Sequence, residues 1–229
     1  MKERFALKET FAWISADEKR YIEVAKAELK ERRTDLERFV RWQPYFAVTL
    51  DEYQIDQTNE LPEIVLRMIE SASKFGIGPM SAVAGTLAEF AVAAMRDAGA
   101  TYAMVDNGGD VALITDRDVL VGIYAGESPF SNKIALKIRP SSVLLGICTS
   151  SGSVGHSISF GNADAATVMS NSASLSDAAA TALCNSVSDA QSVKNAFQTV
   201  EHVDGIRGAL VIYKDVLATC GKLAEIVRL

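Results

Sequence analysis

The centre of this chain constrains its fold most, because five short segments with strand-like patterns follow one another there with only turns between them. In NKIALKI the large apolar residues Ile134, Leu136 and Ile138 recur at every second position, as in a strand with one buried face. We therefore predict a largely antiparallel sheet. Its strands are expected at Tyr102–Val105, Val111–Thr115, Val119–Tyr124, Lys133–Ile138 and Val143–Cys148.

Two hairpin patterns and several helix patterns flank this centre. Phe5, Leu7, Phe11 and Trp13 share one parity, which predicts a half-buried strand or hairpin, and two more strands are expected around Lys214-Asp215. Amphipathic periodicity, Pro or Gly at helix ends and a capping-box pattern predict the helices. They are expected at Asp17–Trp42, Pro62–Gly76, Ala84–Ala98, in SLSDAAATALCNSV, and from Ser188 onwards, with Gln191 completing the capping box.

Length and composition are those of one soluble globular domain. Of the 229 residues, 48% are hydrophobic and 23% are charged, and no linker or repeat divides the chain. The predicted fold class is therefore α+β, with one domain over residues 1–229. In it the helices pack on one face of a largely antiparallel sheet.

Charge and cysteine content exclude several classes of protein. The net charge is −6 and no long run is basic, so we expect no binding to nucleic acid or to an anionic membrane. No apolar stretch is long enough for a membrane span, and a cytoplasmic location is expected. Cys148, Cys184 and Cys220 are too few and too far apart for a zinc or disulfide framework.

A glycine-rich turn lies between the first two predicted strands. In MVDNGGDVAL the residues Asn107, Gly108, Gly109 and Asp110 supply the positive φ angles that a tight hairpin needs. A plain turn explains this segment on its own. The alternative is that it forms the floor of a ligand site, which depends on what the neighbouring segments add.

A second polar feature lies in a stretch without Lys or Arg, from Pro140 to Val193. A phosphate bound there would need backbone amides, a metal ion or His156 to balance its charge. Asp177 and Thr181 share one helix face and form a pair of oxygen ligands suited to Mg²⁺. The alternative is that Asp177 only complements the helix dipole and Thr181 packs.

Two further expectations concern reactivity and stability. Ser150, Ser151 and Ser153 have no pattern for a Ser-His-Asp triad, so we expect no serine nucleophile. His202 follows a helix and is expected to be a connector residue. If Asp177 is a solvated carboxylate in a cleft, its removal should leave folding largely intact.

Three segments taken together resemble the FAD:protein FMN transferase (ApbE) family. They are GPMSAVAGTLAEFAVAAMRDAGATYAMVDNGGDVAL with its GGD turn, AATVMSNSASLSDAAATAL with its DAxAT ending, and CTSSGS. The resemblance covers roughly residues 76–190. Because the matches occur in the family's order and spacing, the turn is expected both to exist and to line a site.

The resemblance implies an ApbE-like fold, related to the T-fold of pterin- and purine-binding enzymes, and a Mg²⁺-dependent transferase that acts on FAD or a related nucleotide. FMN would pass to a Thr or Ser hydroxyl of an acceptor protein. The resemblance places Mg²⁺ on Asp177, Thr181 and the carbonyl of Val83, and we take His156 and Asp177 as candidate catalytic residues. The positions expected along the nucleotide are Gly85, Asn107, Gly108, Gly109, Asp110, Ser150, Ser151 and Gly152.

The sequence departs from the family pattern at two points. The lysine of the family's AKG motif is Ala84 here, and the HxxDPxTG hairpin is absent or shortened, since SISFGNADAAT follows His156 without the Asp-Pro and Thr-Gly elements. A non-catalytic flavin- or heterocycle-binding protein therefore stays open. So does a structural protein that uses the same scaffold for assembly, including assembly into a homo-oligomer.

Overall fold

A computed structural model describes residues 1–54, 61–152 and 161–229, and its fold class is α+β as predicted. Short 3-10 helices lie at Pro44–Ala47, Pro79–Ala82 and Phe197–Thr199. The α-helices are α1 Lys19–Trp42, α2 Glu63–Ser73, α3 Val83–Asp97, α4 Ala173–Asn185 and α5 Val193–Ala196. The strands are β1 Lys2–Leu7, β2 Thr10–Ala16, β3 Ala103–Asn107, β4 Asp110–Thr115, β5 Val119–Gly122, β6 Ile134–Ile138, β7 Ser141–Ser150, β8 Ala165–Ser170, β9 Ile206–Tyr213, β10 Val216–Gly221 and β11 Glu225–Arg228.

Eight of these strands form the main sheet, in the order β1-β2-β3-β4-β7-β8-β9-β10, and every neighbouring pair is antiparallel. The predicted pairing of the two strands around the glycine-rich turn is confirmed, with Asn107 opposite Asp110. Because neighbouring strands alternate in direction, the β1–β2, β3–β4 and β9–β10 turns lie at the same ends of the strands. The end of β7 and the start of β8 lie there too. We call this side of the sheet, which runs across the strand ends, the turn edge.

One face of the main sheet is covered by helices. Ile22, Leu87 and Leu183, from α1, α3 and α4, are fully buried in the core that separates the helices from the sheet. Helices α3 and α4 pack unusually closely, because a Cβ atom at Gly85 would overlap the carbonyl oxygen of Ala173. The start of α3 is therefore held against α4 near the turn edge.

The opposite face of the main sheet is covered by a second sheet, so the expectation of one sheet was wrong. Strands β5 and β6 were predicted as strands, but they pair with β11 in a separate sheet of order β11-β6-β5. This second sheet packs on the main sheet through a core of its own that includes Leu113, Leu136, Ile147 and Leu210. Local patterns predicted the strands correctly but could not specify their partners.

Two local expectations also need correction. The N-terminal hairpin forms, but Phe11 and Trp13 lie on its exposed face, because the turn reverses which parity faces the core. The expected helix from Ser188 does not begin there. The carboxylate of Asp189 accepts hydrogen bonds from the N–H groups of Gln191 and Ser192, and this local turn replaces the capping box, so α5 begins only at Val193.

In the described ranges, no helix combines the length and the apolar character that crossing a bilayer requires.

Candidate active site at the turn edge

The glycine-rich turn has the geometry expected of a tight hairpin. Gly108 and Gly109 have φ angles of 74° and 105°, which other residues rarely adopt. The carboxylate of Asp106 accepts a hydrogen bond from the N–H of Gly109 at 3.0 Å. The side-chain amide of Asn107 donates to the carbonyl oxygen of Ala84 at 3.2 Å. The turn is thus hydrogen-bonded to the first turn of α3.

Asp177 binds the same end of α3 from the other side. Its Oδ2 atom accepts a hydrogen bond from the N–H of Gly85 at 2.8 Å, and the N–H of Ala84 also donates to its carboxylate. These are N–H groups of the first helical turn, which lack partners within their own helix. Asp177 therefore caps α3 although it belongs to α4. The helix dipole that it complements is that of the neighbouring helix.

The environment of Asp177 corrects the expectation of a solvated carboxylate. The residue is only 8% exposed. Burial raises the pKa of its carboxyl group to about 7, although the hydrogen bonds from Gly85 and Ala84 act in the opposite direction. Its removal would leave the buried N–H of Gly85 unpaired, so we no longer expect folding to be unaffected.

A second carboxyl group lies close enough to Asp177 to interact with its charge. Asp110 stands opposite Cys148 in the β4–β7 pairing, and its carboxyl group lies beside the Cys148 thiol. Burial raises the pKa of Asp110 well above its ordinary value, and the charge of Asp177 adds to this. Cys148 itself donates to the carbonyl oxygen of Ala173, one turn before Asp177 on α4. The two carboxyl groups therefore share one poorly solvated region.

Ser150 adds a polar group without a partner. It is 6% exposed, and its Oγ atom is the buried side-chain oxygen that has no hydrogen-bond partner among residues 1–54, 61–152 and 161–229. It lies two residues after Cys148 on β7 and so on the same face of the strand. A buried hydroxyl that lacks a partner is costly, so this group is suited to receive a ligand.

Three strand residues therefore lie on the helix-covered face of the sheet at its turn edge, next to Asp177 of α4. We call these four residues the acidic site: Asn107, Asp110, Ser150 and Asp177. Thr181 lies one helical turn beyond Asp177 and is also 8% exposed. Val83 is the first residue of α3. The structure thus brings the GGD turn and the DAxAT helix together, although they are far apart in the sequence.

Two other predicted positions have clear local roles. The N–H of Gly85 is already bonded to Asp177, and its missing side chain allows α3 to touch α4. A Cβ atom at Gly152 would overlap the carbonyl oxygen of Gly161, so the missing side chain of Gly152 allows the backbone of Gly161 to lie against it. Ser151 is half-buried beside it. His156 lies outside the described residues.

The acidic site fits a hard divalent cation better than a soft one. No group of three or more His, Cys, Asp or Glu side chains that could hold a metal occurs in the described part of the chain. Mg²⁺ needs only one or two carboxylates, because water and phosphate oxygens fill its other positions. Asp177 and Asp110 are such carboxylates, and the hydroxyls of Ser150 and Thr181 add hard oxygen atoms. The donors present therefore suit Mg²⁺.

The contact between Asp110 and Cys148 was not predicted. Nothing in the sequence around Cys148 indicates this contact. Its signal lies in the pairing of β4 with β7, which places Cys148 opposite the last residue of the GGD turn. Strand pairing, rather than a sequence motif, is therefore what reveals this neighbour.

Known structures share this fold over almost its whole length. The flavinyl transferase ApbE of Pseudomonas stutzeri in its apo form superposes with a TM-score of 0.64 at 12% sequence identity, covering 98% of this chain and 95% of that one. The ApbE protein of Thermotoga maritima gives a TM-score of 0.51 at 14% identity, covering 100% and 96%. The chain thus has the ApbE fold.

Sequence comparison agrees with the fold. Residues 2–214 match the family model described as AbpE bacteria, and the chain belongs to this family. A UPF0280 protein of Methanosarcina acetivorans is 50% identical over 229 residues, which are 100% of this chain and 89% of that relative. A UPF0280 protein of Methanococcoides burtonii is 48% identical over 229 residues, covering 100% and 95%.

Proposed function

We propose that the protein is a Mg²⁺-dependent transferase that moves FMN from FAD, or the equivalent group from a related nucleotide, to a hydroxyl of an acceptor protein. The observation that carries this proposal is the meeting of two distant segments at the start of α3. There Asn107 binds the Ala84 carbonyl and Asp177 binds the Gly85 N–H. The fold shared with a flavinyl transferase supports the choice of flavin.

The reaction would break the pyrophosphate bond of FAD and join the FMN phosphorus to the acceptor oxygen, with AMP as the leaving group. When bound, Mg²⁺ would supply charge to the pyrophosphate and make its phosphorus more electrophilic. Asp177, Thr181 and the Val83 carbonyl would hold the ion. A carboxylate offers about four lone-pair sites, so Asp177 can cap α3 and still bind a cation.

The other residues of the site would bind and orient the nucleotide. Asn107 fixes the glycine-rich turn against α3, so that Gly108 and Gly109 can approach a ligand without side chains in the way. The hydroxyl of Ser150, which has no partner among the described residues, would donate to a phosphate or ribose oxygen. We assign to His156 the acceptance of the proton from the acceptor hydroxyl, by its place in the sequence between β7 and β8.

A non-catalytic flavin- or heterocycle-binding protein is the second candidate. It is favoured by Ala84, which stands where the related family has a lysine, and by the Gly85 N–H, which is already bonded to Asp177. A purely structural role gains some support from the burial of Asp177. However, its carboxylate binds backbone N–H groups rather than packing against another side chain.

Incubation with FAD and Mg²⁺, followed by chromatography of the nucleotides, tests the proposal. We expect AMP release that stops with EDTA and is lost in Asp177→Asn. Equilibrium dialysis with flavins and pterins distinguishes the remaining candidates. Binding without AMP release would replace the transferase with the binding protein, and no binding at all would favour the structural role.

A further inference from the structure

A cavity lies at the side of the main sheet opposite the turn edge. Its volume is about 450 Å³, which is within the usual range for small-molecule sites. It opens between the two sheets, where β7 and β9 begin, β8 ends and the chain passes from β10 to β11. We call it the basic pocket after four of its lining residues. They are Lys137, Arg139, Arg207 and Lys222.

Two of these four cations have carboxylate partners. Lys137 pairs with Asp118 at 2.9 Å, and Arg139 pairs with Glu225 at 3.4 Å on an exposed surface. Arg207 and Lys222 are exposed and form no ion pair with any residue that the structure describes. Four positive and two negative groups leave a local charge of +2, whereas the whole chain carries −6.

The backbone holds the two unpaired cations beside each other. The N–H of Lys222 donates to the carbonyl oxygen of Arg207 at 2.6 Å. Gly221, with a φ angle of 69°, allows the chain to turn back over β9 at this point. Two like charges carried by neighbouring backbone positions repel each other when both side chains extend into the pocket. An anion placed between them would remove this repulsion.

The inner wall of the basic pocket is apolar. Ile138, Leu145 and Met169 line it and are 2%, 4% and 4% exposed, and Leu223 is half-buried above them. A site with an apolar wall and cations at its rim suits a ligand that has an apolar part and an anionic part. The apolar part gains from burial, and the anionic part forms charge-assisted hydrogen bonds.

From this arrangement we propose that the basic pocket binds a small organic anion, in which a phosphate or carboxylate is joined to an apolar group. The anion would lie between Arg207 and Lys222, and the apolar group would contact Leu145 and Met169. This site is separate from the acidic site and needs no divalent cation. It also does not depend on whether the acidic site transfers flavin.

A titration of the whole protein by NMR in the presence of EDTA tests the proposal. Phenyl phosphate, inorganic phosphate and phenol are the probes, and the amide signals of Ser141, Leu223 and Ala224 report on the site. We expect phenyl phosphate to bind with a millimolar or lower dissociation constant, inorganic phosphate several-fold more weakly, and phenol least of all. Phenyl carboxylate (benzoate) in place of phenyl phosphate tells whether phosphate or carboxylate is preferred.

The double variant Arg207→Ala/Lys222→Ala should weaken phenyl phosphate binding at least tenfold. The matched control is Lys30→Ala/Lys74→Ala, which removes the same charge from two exposed positions, one on α1 and one directly after α2, and should change binding less than twofold. Higher salt should weaken binding to the unaltered protein. Absence of binding up to about 10 mM, or equal binding by the two double variants, would overturn the proposal.

Discussion

The two ends of the main sheet differ in almost every property that matters for binding an anion. At the turn edge, Asp110 and Asp177 are poorly solvated carboxyl groups tied to the backbone and to a thiol. At the opposite edge, Arg207 and Lys222 are exposed cations without ion-pair partners among the described residues. The same scaffold thus offers phosphate groups two different environments. Under the two proposals, the acidic site binds a phosphate through a cation, whereas the basic pocket binds it directly.

The two sites also differ in the kind of contact that builds them. The acidic site is built from backbone contacts and glycines, so changes there should alter stability as well as binding. The basic pocket carries its charges on exposed side chains, so changes there should alter binding alone. The predictions below test this difference, beginning with the largest expected effect.

The closest packing at the acidic site is between Gly85 and α4, so Gly85→Ala should be the most damaging change. The added Cβ would overlap the Ala173 carbonyl oxygen and force α3 away from α4. We expect a loss of about 3 kcal/mol in the free energy of unfolding, measured by chemical denaturation. In Gly122→Ala the new Cβ meets its nearest atom at 3.7 Å, and the change should be small. Equal effects would refute the close packing.

The cap on α3 predicts a difference between two variants of Asp177. Asp177→Ala removes both acceptor oxygens and should lower the free energy of unfolding by about 1–2 kcal/mol. Asp177→Asn keeps one oxygen for the Gly85 N–H and should cost less. Both variants should lose any Mg²⁺-dependent rise in melting temperature. A rise that persists in either variant would contradict the assignment of the cation to Asp177.

Stability should depend on pH through the acidic site. The folded-state pKa of Asp177 is raised from 3.8 to about 7, so its contribution favours folding when it is protonated. That contribution is lost as the pH rises from about 4 to about 7, and Asp110 acts in the same direction. In EDTA, the free energy of unfolding should therefore fall across this pH range. Asp177→Asn should reduce the slope, whereas Asp204→Asn at an exposed position should not.

The smallest effect on stability is expected at Ser150. Because its hydroxyl is buried without a described partner, Ser150→Ala should leave the free energy of unfolding unchanged or raise it by less than about 1 kcal/mol. The same variant should bind FAD more weakly in the presence of Mg²⁺. A clear loss of stability would show that the hydroxyl has a structural partner and would remove it from the ligand site.

The sequence predicted those parts of the acidic site that depend on local rules. Gly108 and Gly109 indicated the turn through their conformational freedom, and the four-residue spacing of Asp177 and Thr181 indicated a shared helix face. The cap that Asp177 forms on α3 was not predictable in this way. It depends on the contact between two helices, and that contact requires Gly85 to stand opposite Ala173.

The second sheet and the basic pocket also depend on contacts that local sequence patterns cannot predict. The pattern of β6 indicated a strand but could not show that β11, at the C-terminal end of the chain, pairs with it. Likewise, Lys137 and Lys222 belong to no basic run, so no charge pattern along the sequence indicates that they lie together. Only strand pairing brings these cations together.

Binding of FAD with and without Mg²⁺ tests the central claim most directly, because the acidic site has no cation of its own for a phosphate. Isothermal titration of FAD into the unaltered protein, Asp177→Asn and Arg207→Ala/Lys222→Ala is the measurement. The account predicts that binding requires Mg²⁺, disappears in Asp177→Asn and persists in the double variant. Binding that is equally strong in EDTA, or that is lost only in the double variant, would contradict it.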